Sequence, residues 1–193
     1  MPEIACLGSY IDRKGIQYSV PVLNRLMQKY PTLRVRFLGT GCAIEKVLAD
    51  FSEAVRDRIT VVPAFPKHDL PKLLRGAQVL VFPSLSEGFP LAVPEAMACG
   101  LAPIVTDIPG PTEIIVNDVN GLVVPPRDCE RLEGAIELLL NDPDYLNTLR
   151  RLAYQTVQGY SWSKIAAQHL ELYTSALERQ KVGKPEKTVV MQG

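Results

Sequence analysis

Short apolar runs alternate with longer amphipathic stretches along most of the chain. The runs are rich in Val, Ile and Leu and cover residues 4–9, 33–39, 59–62, 78–82, 102–106 and 121–124. Between them, residues 15–30 repeat apolar positions at helical spacing, and Asp69 precedes a shorter segment as a predicted N-cap. This rhythm is typical of βα units. It predicts an α/β fold, a Rossmann-like doubly wound parallel sheet of about six strands with helices on both faces.

The pattern changes after residue 126, where the strand-like runs stop. Three helical patterns follow, at 129–141, 144–158 and 162–180, and predict a helical C-terminal segment. The last fourteen residues are polar and unpatterned, which indicates a frayed tail. We therefore expect one Rossmann-like domain over residues 1–179 and a flexible tail over 180–193.

Composition narrows the class of protein. The chain has 193 residues, 47% of them apolar, and its 21 basic residues equal its 21 acidic ones. Zero net charge gives no electrostatic reason to expect binding to nucleic acid or to an anionic membrane. No secretory leader or transmembrane segment is predicted, and the four cysteines match neither a metal site nor a redox pair. These features predict a cytoplasmic protein with reduced thiols.

Two carboxylates stand out in the stretch PSLSEGFPLAVPEAMACG, residues 83–100. Glu87 lies in the loop after the fourth predicted strand, and Glu95 lies about one turn into a helix that ends at Gly100. Loops at the carboxyl ends of parallel strands hold the ligand in this class of sheet. The carboxylates can accept hydrogen bonds from sugar hydroxyls. The alternative is that Glu87 caps the helix and Glu95 is a solvated surface residue.

The backbone around Pro90 is a second candidate for ligand contact. A proline at a helix start lacks only an N–H group that would be unpaired anyway, and its neighbours keep theirs. We expect the N–H groups of Gly88, Phe89 and Leu91 to face the loop side, where they suit an anion or hydroxyl groups.

These motifs together resemble a known family. The stretch VFPSLSEGFPLAVPEAMACGLAPIVTDIPGPTEII, followed by NGLVVPP and preceded by LGTG, is similar to the donor-binding half of retaining glycosyltransferases of the GT-B fold, of the group 1 or family 4 type. The resemblance extends to YSW at 160–162. It implies transfer of a hexose from a nucleotide-sugar donor to an acceptor hydroxyl with retention at the anomeric carbon. It also implies that no cofactor and no metal are required.

The resemblance assigns roles to individual residues. Glu95 would hold the ribose hydroxyls, and Glu87 would hold the donor hexose together with the backbone of Gly88, Phe89 and Leu91. Lys14 would offset the charge of the diphosphate on the leaving nucleotide. Glu87 and Lys14 are therefore the predicted catalytic residues.

The chain departs from the family pattern in two places. Relatives carry Gly-Arg after the first strand, whereas Gly8 is followed here by Ser9, and Arg13 is the candidate substitute at the diphosphate. The chain also resembles only the carboxyl-terminal half of the family. The amino-terminal acceptor domain would be supplied by a longer chain or a separate subunit, and peripheral membrane contact is possible through that partner.

The final helix offers an additional expectation from the resemblance. In two-domain relatives this helix crosses back to the amino-terminal domain, so its apolar side chains would be exposed here; the alternative is that it folds back on its own domain. The apolar side chains concerned are Ile165, Leu170, Leu172, Tyr173 and Leu177.

Two other functions remain open at this stage. One is a non-catalytic module that binds a nucleotide-sugar, for which the Ser9 departure would be lost chemistry. The other is a NAD-type dehydrogenase domain, suggested by Gly39-Thr40-Gly41. It is disfavoured because Ile44 occupies the position of the third glycine in the dinucleotide-binding motif G-x-G-x-x-G.

Overall fold

The computed structural model describes residues 2–182, which divide into two compact units, the first ending at Val157 and the second beginning at Gln158. The first unit contains one sheet of six parallel strands in the order β3-β2-β1-β4-β5-β6. The strands are β1 (Glu3–Leu7), β2 (Arg34–Leu38), β3 (Ile59–Val62), β4 (Val79–Phe82), β5 (Ala102–Thr106) and β6 (Leu122–Val124). The predicted Rossmann-like fold is confirmed. The strand order reverses between β1 and β4, where such sheets bind their ligands.

The first unit has seven helices among its described residues. They are α1 (Ile16–Lys29), α2 (Ile44–Ala49), α3 (Glu53–Arg56), α4 (Leu70–Leu73), α5 (Ala92–Ala98), α6 (Cys129–Asn141) and α7 (Pro143–Val157). The sequence did not predict α2 or α3, because helices of six and four residues are too short to repeat an apolar face.

Helices cover both faces of the sheet, as predicted. Neighbouring strand residues such as Ile4 and Ala5 point to opposite sides and belong to two separate apolar clusters. One cluster includes α1 and α6, and the other includes α4 and α5. Helix α7 contributes to both, with Leu149 in the first and Ala153 in the second. The buried strands are thus fixed in register, which sets the positions of the loops at their ends.

The ends of α5 and α4 differ in how well the sequence predicted them. Gly100 follows α5 with φ +80°, its N–H donates to Met97 O at 2.9 Å, and the next N–H donates to Ala96 O at 3.1 Å. These two bonds form a Schellman motif, so the predicted glycine end of the helix is correct. The predicted side-chain cap at Asp69 is wrong. A 3₁₀ turn runs directly into α4, so Asp69 is already helical and its carboxylate caps nothing.

The second unit contains α8 (Trp162–Val182). Four of its predicted interface side chains are 60–67% exposed and Ile165 is half-buried; the four are Leu170, Leu172, Tyr173 and Leu177. A partner for this face remains a prediction. The predicted tail began at residue 180, but residues 180–182 still belong to α8, and the rest of that predicted tail lies outside the described residues. Across residues 2–182, no helix is both long and apolar enough to cross a membrane.

Candidate donor-binding site

Three loops meet at the carboxyl edge of the sheet. We call them the β1 loop (residues 8–15), the β4 loop (83–91) and the β5 loop (107–113). The β1 and β4 loops are joined by their backbones, since Leu85 N donates to Arg13 O at 2.8 Å. They also approach closely at Gly15, which has φ +74°, because a Cβ atom there would lie 2.0 Å from Pro83 O. Only glycine permits this approach.

The joined loops bring the two predicted catalytic side chains into contact. Lys14 Nζ donates to Glu87 Oε1 at 2.7 Å, although the residues are 73 positions apart. The Lys14 side chain is 19% exposed and that of Glu87 is 9% exposed, so water screens the pair only in part. Lys14 Nζ also lies 4.8 Å from the centre of the Phe82 ring, within the range of a cation–π interaction. The ammonium is therefore held at a defined place.

Two further residues fix the Glu87 carboxylate. Ser84 Oγ lies 2.5 Å from Glu87 Oε1 and 3.1 Å from Arg13 O. Arg13 Nη1 donates to Ser86 O at 2.9 Å and lies 3.5 Å from the same carboxylate oxygen. Every polar contact of the Glu87 carboxylate is made by Oε1, and no hydrogen bond or ion pair of Oε2 is found among the described residues. One oxygen is thus committed to the protein while the other remains available.

The expected backbone donors are present beside this carboxylate. Within residues 2–182, the N–H groups of Gly88, Phe89 and Leu91 have no protein acceptor. Gly88 and Phe89 are exposed, and Leu91 immediately precedes α5. Between them Pro90 is buried, and its carbonyl accepts from Val93 N at 3.0 Å. The loop therefore offers N–H groups to solvent on a backbone that is anchored at the proline.

The amino-terminal part of the β1 loop holds Gly8 and Ser9, where relatives carry Gly-Arg. Gly8 has φ +130°, a backbone conformation that favours glycine, although a Cβ atom there would make only an ordinary contact with Lys14 Cε at 3.4 Å. Ser9 is exposed. Arg13, at the other end of the loop, is the arginine that reaches Glu87. The structure therefore places a guanidinium beside this carboxylate, whereas Ser9 adds only a hydroxyl group.

Tyr10 connects the β1 loop to the segment that follows β2. Its N–H donates to Thr40 O at 2.8 Å, and its hydroxyl donates to Asp50 Oδ2 at 2.7 Å. Burial of the ring, with this hydrogen bond to Asp50, raises the pKa of Tyr10. Thr40 belongs to the Gly39–Gly41 turn, and both of these glycines have positive φ. The turn supports the β1 loop, which is a structural role for the motif.

Glu95 lies apart from this cluster. It is half-buried on α5 and makes no side-chain hydrogen bond or ion pair with any described residue. It lines a groove of about 760 Å³ whose other walls include Pro71 of α4, Gln78 just before β4 and Cys99 just after α5, so the groove extends towards the amino end of β4. The carboxylate is accessible from this groove. The structure thus gives the two glutamates different surroundings, one committed to protein contacts and one unpartnered.

Comparison with known proteins identifies the family. Residues 2–156 match the family model described as glycosyl transferases group 1. The chain belongs to this family. A D-inositol 3-phosphate glycosyltransferase of Thermobispora bispora is 30% identical over 164 residues, covering 80% of this chain and 38% of that protein. The family match favours the glycosyltransferase hypothesis over the dehydrogenase alternative.

Two solved structures share the fold. Sucrose-phosphate synthase from Thermosynechococcus elongatus superimposes with a TM-score of 0.76 and 29% identity, over 92% of this chain and 46% of that one. Anabaena HepE in complex with UDP gives a TM-score of 0.75 at 19% identity, over 90% of this chain and 48% of that one. This chain therefore spans less than half the length of these relatives.

Several contacts in this glycosyltransferase domain were not predicted from the sequence. Ser84 was missed, although the spacing Ser-x-x-Glu to Glu87 is the one at which a hydroxyl and a carboxylate often pair. Thr106 Oγ1 donates to Ser84 O and ties the loop to β5. Gly110 was also missed, and its place between two prolines in PGP was the available sign of an unusual backbone.

A metal requirement is not tested by these observations. No group of three or more His, Cys, Asp or Glu side chains converges within the described part of the chain. The expectation that the donor needs no metal therefore remains a prediction.

Proposed function

We propose that this chain is the nucleotide-sugar-binding half of a retaining glycosyltransferase that transfers a hexose to an acceptor hydroxyl. The observation that carries the proposal is the contact between Lys14 and Glu87 at the switch point of the sheet, beside backbone N–H groups that have no protein acceptor. A cation, a half-committed carboxylate and free N–H donors suit a ligand with a diphosphate and several hydroxyls. Family membership and a neighbour that contains UDP support this choice of ligand.

The proposed roles follow from the contacts of each residue. Lys14 and Arg13 offset the charge that builds on the diphosphate as it leaves, so that this role needs no metal. Glu87 Oε2 and the N–H groups of Gly88, Phe89 and Leu91 bind hexose hydroxyls. Glu95 binds the ribose hydroxyls from its position on α5.

The proposed reaction relies on positioning and charge stabilisation. The acceptor hydroxyl attacks from the face of the leaving group, which gives retention. The bond to the diphosphate oxygen breaks as the new glycosidic bond forms, and the hydroxyl proton passes to the departing diphosphate. Such a step depends on holding the reactants in place and on stabilising the leaving group, more than on a strong protein nucleophile. The cluster contains an ammonium, a guanidinium and a carboxylate that serve these two purposes.

Transfer by this proposal requires a second half. The chain spans less than half the length of its relatives, so the acceptor site comes from a further domain or a separate subunit. We propose a cytoplasmic location, since the four cysteines are free thiols.

A non-catalytic binding module remains the second candidate, because Ser9 leaves the start of the β1 loop without an arginine. The position of Arg13 beside Glu87 favours the enzyme. The two candidates differ in one outcome: sugar transfer when the chain is combined with an acceptor domain.

Calorimetric titration tests donor binding directly. We would titrate the chain with UDP-, GDP- and ADP-glucose and repeat the titrations with Glu95→Ala. Loss of a carboxylate that accepts ribose hydroxyls is expected to weaken binding of one nucleotide class by about 10- to 100-fold. The control is Glu53→Ala, which removes an exposed carboxylate that has no side-chain contact among the described residues. Absence of binding to all three donors, or equal binding by Glu95→Ala, would contradict the proposal.

A further inference from the structure

The β4 loop is held from the β5 side by a contact that only glycine allows. Gly110 has φ +95°, and a Cβ atom there would lie 2.0 Å from Gly88 O and 3.1 Å from the carbonyl carbon. A Cβ atom at 2.0 Å from backbone cannot be accommodated by a side-chain movement, so one of the two loops would have to shift. The Gly88 carbonyl therefore points directly at the Gly110 backbone.

The direction of this carbonyl fixes the direction of the next N–H group. The described chain contains no cis peptide bond, so the C=O of Gly88 and the N–H of Phe89 point in opposite directions. With the carbonyl against Gly110, the Phe89 N–H points away from the β5 loop. Because β4 lies between β1 and β5, this is the side on which Lys14 lies. The N–H has no acceptor among the described residues, so it is available to a ligand on that side.

We infer that Gly110 is a positioning residue for the sugar part of the donor, an inference that rests on the proposed function. Gly110 sets the orientation of the Gly88–Phe89 peptide, and this peptide presents the Phe89 N–H to the hexose. A side chain at position 110 would turn the peptide and remove this donor from the sugar. Glu95, the proposed ribose contact, lies on α5 outside the Gly88–Phe89 peptide, so the inference assigns Gly110 no part in binding the nucleotide alone.

The test compares Gly110→Ala with two glycine controls in the full chain. Gly121→Ala places a Cβ atom 2.7 Å from Pro103 O at the opposite end of the sheet, so it reports packing damage alone. At Gly134, on α6, a Cβ atom would meet no atom within 4 Å, so Gly134→Ala reports the loss of a glycine without a clash. Calorimetry compares the affinity for UDP with that for UDP-glucose, and the comparison is repeated with GDP and GDP-glucose and with ADP and ADP-glucose. The difference within each pair measures the affinity gained from the sugar.

The expected result separates the sugar from the nucleotide. In Gly110→Ala, the nucleotide-sugar should bind about tenfold more weakly, which is the effect of one lost hydrogen bond, while the nucleotide alone binds within about twofold of the wild type. Both controls should keep the wild-type ratio of the two affinities. If Gly110→Ala binds both ligands as the wild type does, or loses both equally, the inference is wrong.

Two measurements decide the inference without relying on that comparison. In ¹H–¹⁵N spectra of the free protein, Gly110→Ala should shift the Gly88 and Phe89 amide signals and Gly121→Ala should not; unmoved signals overturn the inference. The amide-signal test needs no ligand, so it applies even if the wild type binds no nucleotide. Absence of nucleotide binding would contradict the proposed function and not this inference. If Gly110→Ala does not fold, amide exchange in the wild type is the second measurement. UDP-glucose should slow exchange of the Phe89 amide relative to UDP, and equal rates with both ligands overturn the inference.

Discussion

The contact between Lys14 and Glu87 should stabilise the free protein, in addition to its proposed role in binding the donor. Lys14→Met keeps the length and apolar stem of the side chain and removes the ammonium. Glu87 Oε1 then loses a charge-assisted hydrogen bond of 2.7 Å, and the remaining cation, on Arg13, is 3.5 Å away and half-exposed. Charged hydrogen bonds contribute about 1.5 to 3 kcal/mol, so we expect the free energy of unfolding to fall by about 2 kcal/mol. For a protein of this size that lowers Tm by about 6 °C.

A double-mutant cycle isolates this contact from other effects of the substitution. The cycle consists of Lys14→Met, Glu87→Gln and the double variant, each unfolded in urea, with a coupling energy of about 2 kcal/mol expected between the two sites. Lys72→Met is the matched control, since Lys72 is exposed and makes no polar side-chain contact with any described residue. A coupling energy below about 0.5 kcal/mol would refute the reasoning. The pair would then behave like an exposed ion pair, and the ammonium would not be held in place before the donor arrives.

Two further predictions concern the supporting structure. Arg36 Nε and Nη2 donate to the Glu3 carboxylate at 2.6 and 2.7 Å, so Arg36→Met leaves a nearly buried carboxylate unpaired and should cost about 3 kcal/mol in urea unfolding. Arg34→Met on the same strand is the control, and an equal loss in both variants would contradict a role for the pair. Desolvation raises the pKa of the partly buried Cys6 thiol to about 12, so at pH 8 iodoacetamide should modify it at least about a hundredfold more slowly in the folded than in the unfolded chain. Because the folded-state pKa is the higher one, this thiol's contribution to stability should be present below pH 9 and lost as the pH rises towards 12, and rapid labelling of folded Cys6 at pH 8 would contradict the raised pKa.

The sequence predicted the sheet well because each strand carries its own pattern. Strands β3 and β5 were predicted with the bounds that the structure shows, and the other four were within two residues at each end. A strand that is buried on both faces is mostly apolar whatever it pairs with, so its own short run of residues predicts it. The Gly100 helix end is likewise a local property of one residue that adopts positive φ.

The predictions failed where a feature depended on tertiary structure or was too short to leave a pattern. Helices α2 and α3 have too few turns for a periodic face. The contacts of Gly15 with Pro83 and of Gly110 with Gly88 join loops that follow different strands, and no local pattern announces which backbone a glycine will meet. The sequence could name Lys14 and Glu87 as candidates through the family resemblance. That Lys14 contacts Glu87 directly in the free protein required the structure.

The different surroundings of the two glutamates suggest how binding energy is divided in the proposed site. Glu87 is oriented before the donor arrives, because Lys14 and Ser84 hold one oxygen and leave the other available. A carboxylate that is already fixed loses little conformational entropy on binding, which favours a group that must position the reacting sugar. Glu95 has no such partner and gains its hydrogen bonds only from the ligand. Substitutions at Glu87 should therefore change stability and binding together, whereas substitutions at Glu95 should change binding alone, and that difference follows from the contacts of the free protein.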